Sequence, residues 1–223
     1  MKINHNYTSN GKVWSIPTRL FHLFFAASVL LCWLTGEGII VVSTQIHMWL
    51  GGLSLSLVLF RIIWGVCAGD YAHFQHMLRS ILKLKYVLPL TPRNTLPSSY
   101  PGHSPTGSIS VLAMLVLVLL QSVSGLMTSD GIFTDGPLVK FVPSTWVDWS
   151  GFLHNRVQYL LLLMMIIHPA AVFYYQFRKK QNIIPALWHG RKNINAESAQ
   201  ERPLTAFVIM VITLSVSVII FTL

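Results

Sequence analysis

Charged residues are scarce in this sequence. Of its 223 residues, 10% are charged and 53% are hydrophobic, and the mean hydropathy is +0.57. An average soluble domain is about 25% charged. The shortage of charge therefore excludes an ordinary water-soluble globule and predicts an integral membrane protein.

Cysteine is also rare, since Cys32 and Cys67 are the only two in the chain. They lie near opposite ends of the first and second apolar segments, so we expect them at opposite membrane faces, too far apart for a disulfide. The sequence has no Cys-x-x-Cys-His motif, which excludes a covalently attached c-type haem, and two thiols are too few for an iron–sulfur cluster. We interpret both cysteines as small packing residues.

Acidic residues number 7 against 16 basic ones, which gives a net charge of +9. In a soluble protein this excess would suggest nucleic acid as a partner, so the distribution of charge along the chain decides its meaning. Along an alternating path of five membrane helices, every lysine and arginine except Lys140 and Arg156 falls on the same side. The positive-inside rule then predicts a multi-pass bacterial inner-membrane protein with a cytoplasmic N-terminus and a periplasmic C-terminus, and no nucleic-acid partner.

Long apolar segments are what the sequence has in quantity. Crossing a hydrocarbon core takes about 20 helical residues, and five segments are long enough. They cover residues 16–34, 46–66, 105–127, 152–177 and 204–223. We therefore predict an all-α integral membrane protein whose partners include membrane lipid.

Three connecting segments have their own patterns. Residues 74–85 show apolar residues at helical spacing, which fits either a basic amphipathic helix on the membrane surface or a solvated connector. Residues 89–105 are a proline-rich linker. The acidic and aromatic segment 128–150 could cover a site or receive a partner, although a plain interfacial cap is the simpler interpretation.

Histidines carry most of the functional information, because ionisable groups inside a bilayer are costly and are usually kept for function. Four of the nine lie within predicted spans: His22, His47, His154 and His168. On the fourth span, His154 and His168 are 14 residues apart, which is about 21 Å of helical rise and a net rotation of about 40°. They therefore share one face at two depths, and His47 and Arg61 share a face of the second span in the same way. The predicted topology places His47 and His154 at the outer level and His22, Arg61 and His168 at the inner level.

Two histidines at each of two levels are what two bis-imidazole haems in a helical bundle require, since each iron needs an axial nitrogen on both sides. With both axial positions filled, the metal has no place for substrate, which favours one-electron transfer. The sequence thus predicts a four-helix transmembrane haem-binding bundle plus a fifth C-terminal transmembrane helix. Haem propionates could pair with Arg19 and Arg61 at the inner level and with Arg156 at the outer level.

Glycines and one further histidine complete the candidate site. Gly51, Gly52 and Gly125 would leave room for a flat macrocycle between helices. The histidines outside the spans are interpreted as solvated residues of cytoplasmic segments. His103, in Gly-His-Ser-Pro-Thr-Gly before the third span, is the exception, since it could reach the inner haem or a proton path.

These motifs together resemble a known family. They are the run Val-Trp-Ser-Ile-Pro-Thr-Arg-Leu-Phe-His ending at His22, the His47 segment ending in Leu-Phe-Arg at Arg61, the Gly-His-Ser-Pro-Thr-Gly segment, and the His154/His168 pair. The chain from Val13 to Lys192 resembles the bacterial cytochrome b561 and nickel–iron hydrogenase b-type subunit family. The resemblance implies a four-helix bundle with two b haems, one held by His22 and His168 and the other by His47 and His154. It also implies electron exchange with membrane quinone and an outer partner protein.

The fifth span departs from that four-helix core. We therefore expect a di-haem cytochrome b membrane domain over residues 13–192 and an accessory transmembrane helix over residues 203–223. The expected function is electron transfer between the quinone pool and a periplasmic redox partner, either a c-type cytochrome or a hydrogenase or reductase. The alternative is a stand-alone quinone reductase that oxidises superoxide or another small periplasmic donor. A metal or proton transporter is less favoured, because the spans carry no acidic residue beside the histidines.

Overall fold

The computed structural model describes residues 11–82, 100–193 and 198–223. In these ranges the chain is predominantly helical. Its elements, in chain order, are β1 (Gly11–Lys12), α1 (Ile16–Gly36), α2 (Thr44–Cys67), α3 (Phe74–Leu82), α4 (Pro105–Leu126), α5 (Ser144–Phe173), α6 (Ile184–His189), β2 (Arg191–Lys192) and α7 (Pro203–Thr222).

Five of these helices are long and apolar enough to cross a membrane: α1, α2, α4, α5 and α7. The predicted fold class, an all-α membrane protein with five spans, is confirmed. The helix α5 continues through a π-helical turn at Tyr174–Arg178, so the apolar segment Ser144–Arg178 contains 35 residues. A helix of this length rises about 52 Å, whereas the hydrocarbon core is about 30 Å thick. The segment must therefore tilt or extend beyond the core.

The start of α5 differs from the prediction, because the helix begins at Ser144 and not at residue 152. The carbonyl of Pro143 accepts hydrogen bonds from the backbone N–H of Trp146 at 2.9 Å and of Val147 at 3.3 Å, which begin the helix. Polar and aromatic residues in this first stretch lower its hydropathy without disfavouring a helix. Apolarity therefore marked only the part of the helix that is most hydrophobic.

Of the two interpretations of residues 74–85, the helix is correct for the described part, since α3 covers Phe74–Leu82 and buries Met77 and Ser80. Residues 83–85 and most of the predicted linker at 89–105 lie outside the described residues. The placement of α3 on a membrane surface stays a prediction.

The described residues form two compact units. Among them, the first unit comprises residues 11–20, 63–82, 100–112, 167–193 and 198–206, and the second comprises Phe21–Ile62, Ala113–Ile166 and Phe207–Leu223. The first unit contains β1, β2, α3 and α6. The second unit contains most of the residues of the long helices.

A buried carboxylate organises the first unit. Asp70 is 5% exposed, and its Oδ2 atom accepts hydrogen bonds from the backbone N–H of Ser15 at 2.9 Å, the Ser15 hydroxyl at 2.6 Å and the Thr18 hydroxyl at 2.7 Å. The next backbone N–H, that of Ile16, donates to the carboxylate of Glu201. The first N–H groups of a helix lack partners within it, and negative charge is favourable there. Two acidic residues distant in sequence therefore hold the start of α1.

The short strands β1 and β2 pair antiparallel, with Gly11 opposite Lys192 and Lys12 opposite Arg191. Gly190 precedes β2 with a φ of +75°, and its carbonyl accepts hydrogen bonds from the backbone N–H of Val13 at 2.7 Å and of Trp14 at 3.1 Å. A Cβ atom at position 190 would lie 2.6 Å from the Trp14 carbonyl oxygen. Glycine is therefore required at this position both by conformation and by space.

Candidate cofactor site

The second unit contains a cavity of about 380 Å³, a size typical of ligand sites. Residues of α1, α2, α4, α5, α7 and the segment before α5 line it. Two of the predicted ligands, His47 from α2 and His154 from α5, are in its wall. We call it the His47–His154 cavity.

The two imidazoles lie close to each other in the wall of this cavity. Their ring centroids are 6.5 Å apart and their planes are at 90°. A metal–imidazole bond is about 2 Å long and each nitrogen lies about 1 Å from its ring centre, so two histidines that shared a metal ion could have centroids up to about 6 Å apart. The observed separation is close to this distance and therefore fits one metal ion held between His47 and His154.

The protonation of His154 follows from its partners. Its Nδ1 atom lies 2.9 Å from the backbone carbonyl of Gln121 and 3.3 Å from the Ser124 hydroxyl, both on α4. A carbonyl oxygen only accepts hydrogen bonds, so Nδ1 carries the proton and donates it. The lone pair is then on Nε2, the arrangement that metal-binding histidines adopt when the other ring nitrogen is held by the protein.

His47 is held in a similar way from α1. Its Nδ1 atom lies 3.0 Å from the Thr35 hydroxyl oxygen, and that hydroxyl donates to the carbonyl of Leu31 at 2.8 Å. Because the hydroxyl hydrogen is directed to Leu31, the oxygen can accept the Nδ1–H of His47. This leaves the Nε2 lone pair of His47 for a metal, as in His154.

Glycines let neighbouring helices approach both rings. A Cβ atom at Gly36 would lie 3.1 Å from Cε1 of His47, and one at Gly125 would lie 2.9 Å from Cε1 of His154. Gly51 lines the cavity and would place a Cβ in open space, as expected for a residue beside a flat group. Gly52 differs, because its Cβ position is occupied by the ring of Phe221, so it also admits a side chain of α7.

The segment before α5 closes part of the cavity. Thr128, Asp130 and Thr134 contribute to the lining. The Oδ1 atom of Asp130 accepts the backbone N–H groups of Thr134 at 2.9 Å, Ile132 at 2.9 Å and Phe133 at 2.8 Å. These three hydrogen bonds lower the pKa of the Asp130 carboxyl, and the one from Thr134 has the largest effect. Of the interpretations given above for residues 128–150, covering a site agrees with this geometry.

Comparison with family models identifies the chain. The model described as prokaryotic cytochrome b561 matches residues 13–190. The chain belongs to the prokaryotic cytochrome b561 family. It is therefore a multi-pass bacterial membrane protein that binds b-type haem and transfers electrons, and the predicted family is confirmed. Comparisons with curated proteins and with solved structures found no significant match.

The site of this b-type cytochrome also contains polar groups that the sequence did not single out as haem contacts. Trp33 and Gln121 both line the His47–His154 cavity, and the Nε1 atom of Trp33 and the Oε1 atom of Gln121 are buried without a hydrogen-bond partner. Buried polar atoms normally have partners, so a polar ligand group in the cavity fits here. Of α4, Gly125 was singled out from the sequence as a site residue and Gln121 was not.

The structure does not place Arg156 in this cavity. Its side chain is exposed, and its guanidinium lies 5.5 Å from the ring centre of Phe152. Its pairing with a haem propionate stays a prediction without support from this geometry.

The predicted inner residues are distributed over both units. His22 and Arg61 belong to the second unit, whereas Arg19, His103 and His168 belong to the first. Arg61 is 3% exposed, and His22 and His168 are half-buried. Arg19 donates from Nη1 to the carbonyl of Trp188. The ring of His103 lies 4.9 Å from that of Trp14.

Proposed function

We propose that this b561-family protein carries electrons across the membrane through two b-type haems. One haem is held by His47 and His154, and the other by His22 and His168. The observation that carries the proposal is the close pair of His47 and His154 at one cavity, each with Nδ1 hydrogen-bonded to the protein. A b-type haem ligated by two imidazoles supplies one-electron transfer, because its iron has no remaining position for a substrate.

The chain's own residues give this site its properties. Thr35 and Gln121 orient the two imidazoles and keep their Nε2 atoms unprotonated. Apolar side chains on three helices, including Val29, Val118 and Leu161, line the cavity and exclude water. Little reorganisation of the surroundings is then needed when the charge at the site changes.

The distribution of charge along the chain supports one orientation of the protein in the membrane. The positive-inside rule places the N-terminus in the cytoplasm and the segment 128–150 in the periplasm. The His47–His154 pair is then the outer site, and we propose that a periplasmic redox protein, such as a c-type cytochrome, a hydrogenase or a reductase, exchanges electrons there. The inner pair, together with Arg19, Arg61 and His103, would serve the quinone pool. Residues 13–192 form the di-haem domain in this proposal.

Haem stoichiometry tests the ligand assignment. The purified protein should contain two b-type haems per chain with low-spin, bis-imidazole spectra. His47→Ala and His154→Ala should each remove the same haem, and His22→Ala and His168→Ala should each remove the other. His76→Ala, which changes an exposed histidine of α3, is the matched control and should retain both. One haem in the wild-type protein, or two in His154→Ala, would contradict the proposal.

The partner is tested separately in liposomes that contain a quinol. Electron transfer to an added c-type cytochrome outside the vesicle, absent in His154→Ala, supports a partner-linked conduit. Quinone reduction with superoxide alone, at full rate without any partner protein, would favour the stand-alone reductase instead.

A further inference from the structure

The helix α7 takes part in the wall of the His47–His154 cavity. Phe221, near the end of α7, lines this cavity together with residues of α1, α2, α4 and α5. The match to the family model ends at residue 190, before α7 begins at Pro203. A helix outside the matched region therefore contributes directly to the candidate haem site.

Contacts with α2 determine the position of the Phe221 ring. A Cβ atom at Gly52 would lie 2.6 Å from Cε2 of Phe221, so the ring occupies the space that any larger residue at position 52 would need. On its neighbouring side the ring stacks on Trp49, with centroids 4.8 Å apart and an interplanar angle of 26°. The ring is thus held between two residues of α2.

Buried hydroxyl groups fix the register of α7 against α2. Ser56 and Ser217 are 0% and 5% exposed, and their hydroxyl oxygens are 2.6 Å apart. The Ser217 hydroxyl also lies 3.0 Å from the carbonyl of Gly52 and donates to it, while the Ser56 hydroxyl donates to that of Ser217. A shift of α7 along α2 would break the hydrogen bonds of the Ser217 hydroxyl with Ser56 and Gly52, which is unfavourable in an apolar environment. The bonds therefore keep Phe221 at the level of Gly52.

We propose that α7 is part of the outer haem site and that Phe221 is a positioning residue which shields that haem from water. This inference rests on the proposed function, because it requires a haem between His47 and His154. The oxidised bis-imidazole haem carries one more positive charge than the reduced form, so an apolar wall favours reduction and water favours oxidation. Phe221 thereby raises the midpoint potential of the outer haem and slows its loss.

Redox titration of the purified holoprotein tests this role. In Phe221→Ala the equilibrium constant for reduction of the haem that depends on His154 should fall about tenfold. Its midpoint potential then falls by about 59 mV, since the couple transfers one electron. Transfer of this haem to an excess of apomyoglobin should become about tenfold faster, as expected for a lost contact of this size. The potential of the other haem should not change. Gly52→Ala, which displaces the ring, should lower the outer potential in the same direction.

The matched control is Phe207→Ala on the same helix, where the side chain is 66% exposed. It should leave both potentials and both transfer rates at wild-type values, and Phe221→Leu should restore most of the shielding. Equal values in Phe221→Ala and Phe207→Ala would overturn the inference.

Two further outcomes are separable. If Phe221→Ala does not accumulate, Gly52→Ala and Ser217→Ala are titrated in its place, and wild-type outer potentials in both would overturn the inference. If His154→Ala leaves both haems bound, the proposed function itself has failed. If His154→Ala removes one haem and Phe221→Ala changes nothing, only the role of Phe221 has failed.

Discussion

Gly125 on α4 lies so close to the imidazole of His154 on α5 that an added Cβ atom would be 2.9 Å from Cε1 of the ring. Real Cβ contacts are longer, so an alanine at position 125 must displace either the ring or the helix. The glycine thus determines where the proposed ligand sits as much as the hydrogen bond from Nδ1 to Gln121 does.

Gly125→Ala should therefore disturb the outer haem. Overpacking of this kind costs about 1–3 kcal/mol, and we expect loss of the outer haem or an altered low-spin electron paramagnetic resonance signal, with the inner haem unchanged. Gly151→Ala is the control, because a Cβ there meets nothing within 4 Å. Identical spectra for the two variants would show that Gly125 does not position His154.

Thr35→Val tests the hydrogen bond that orients His47. Valine keeps the shape of the side chain but removes the hydroxyl that lies 3.0 Å from Nδ1 of His47. Loss of such a partner of a metal-ligating histidine weakens metal binding by about 10–100-fold, so the outer haem should transfer faster to apomyoglobin. Thr35→Ser, which retains the hydroxyl, should behave as wild type. Equal transfer rates for the valine and serine variants would contradict this role.

Asp70→Ala should lower the stability of the protein without changing the proposed haem ligands. Its loss leaves three donors of Ser15 and Thr18 without their acceptor, and we expect a decrease of about 3 kcal/mol in the free energy of unfolding. Asp148→Ala removes the same charge from an exposed position and is the control. Thermal denaturation in detergent measures both, and equal midpoints would rule out a stabilising role for Asp70.

Lys192 should make the free energy of unfolding depend on pH in the alkaline range. Burial lowers the pKa of its ammonium from 10.5 to about 8, although its Nζ donates to the carbonyls of Tyr100 at 3.0 Å and Gly102 at 3.2 Å. Between these two pKa values the unfolded chain binds a proton that the folded chain does not, so stability rises with pH over this range. The unfavourable contribution is fully present below pH 8.

The measurement is the melting temperature in detergent between pH 7 and pH 10, compared between the wild type and Lys192→Met. We expect the wild type to gain relative to the variant as the pH rises above 8. Parallel curves for the two proteins would show that Lys192 does not titrate in this range.

Much of the helical fold was predictable because the bilayer imposes one strong local rule, that backbone groups in lipid be satisfied within the segment. Apolar length alone therefore located α1, α2, α4 and α7 closely. It placed the start of α5 too late, because Trp146, Asp148 and Trp149 reduce the hydropathy of a stretch that is nonetheless helical. The pairing of β1 with β2 has no local signal at all, since each strand has two residues and they are far apart in sequence.

The candidate site, like the fold, was predictable from the sequence only in part. The predicted topology placed His47 and His154 together at the outer level, because the direction of each helix converts position along it into depth. Periodicity carries no information about which backbone carbonyl a ring nitrogen reaches, so the contact of His154 with Gln121 was not predictable. Phe221 was missed because a phenylalanine in an apolar helix looks the same whether it faces lipid or a cavity.

The two carboxylates that hold the start of α1 come from parts of the chain that are synthesised at different times. Ser15 and Ile16 leave the ribosome early, Asp70 follows after the second helix, and Glu201 is made only near the end of this sequence. The hydrogen bonds at the start of the first helix are thus incomplete until a distant part of the chain has been made. A nascent chain that stops before residue 201 lacks the carboxylate that accepts the Ile16 N–H, so the first turn of α1 is held by fewer hydrogen bonds in an unfinished molecule.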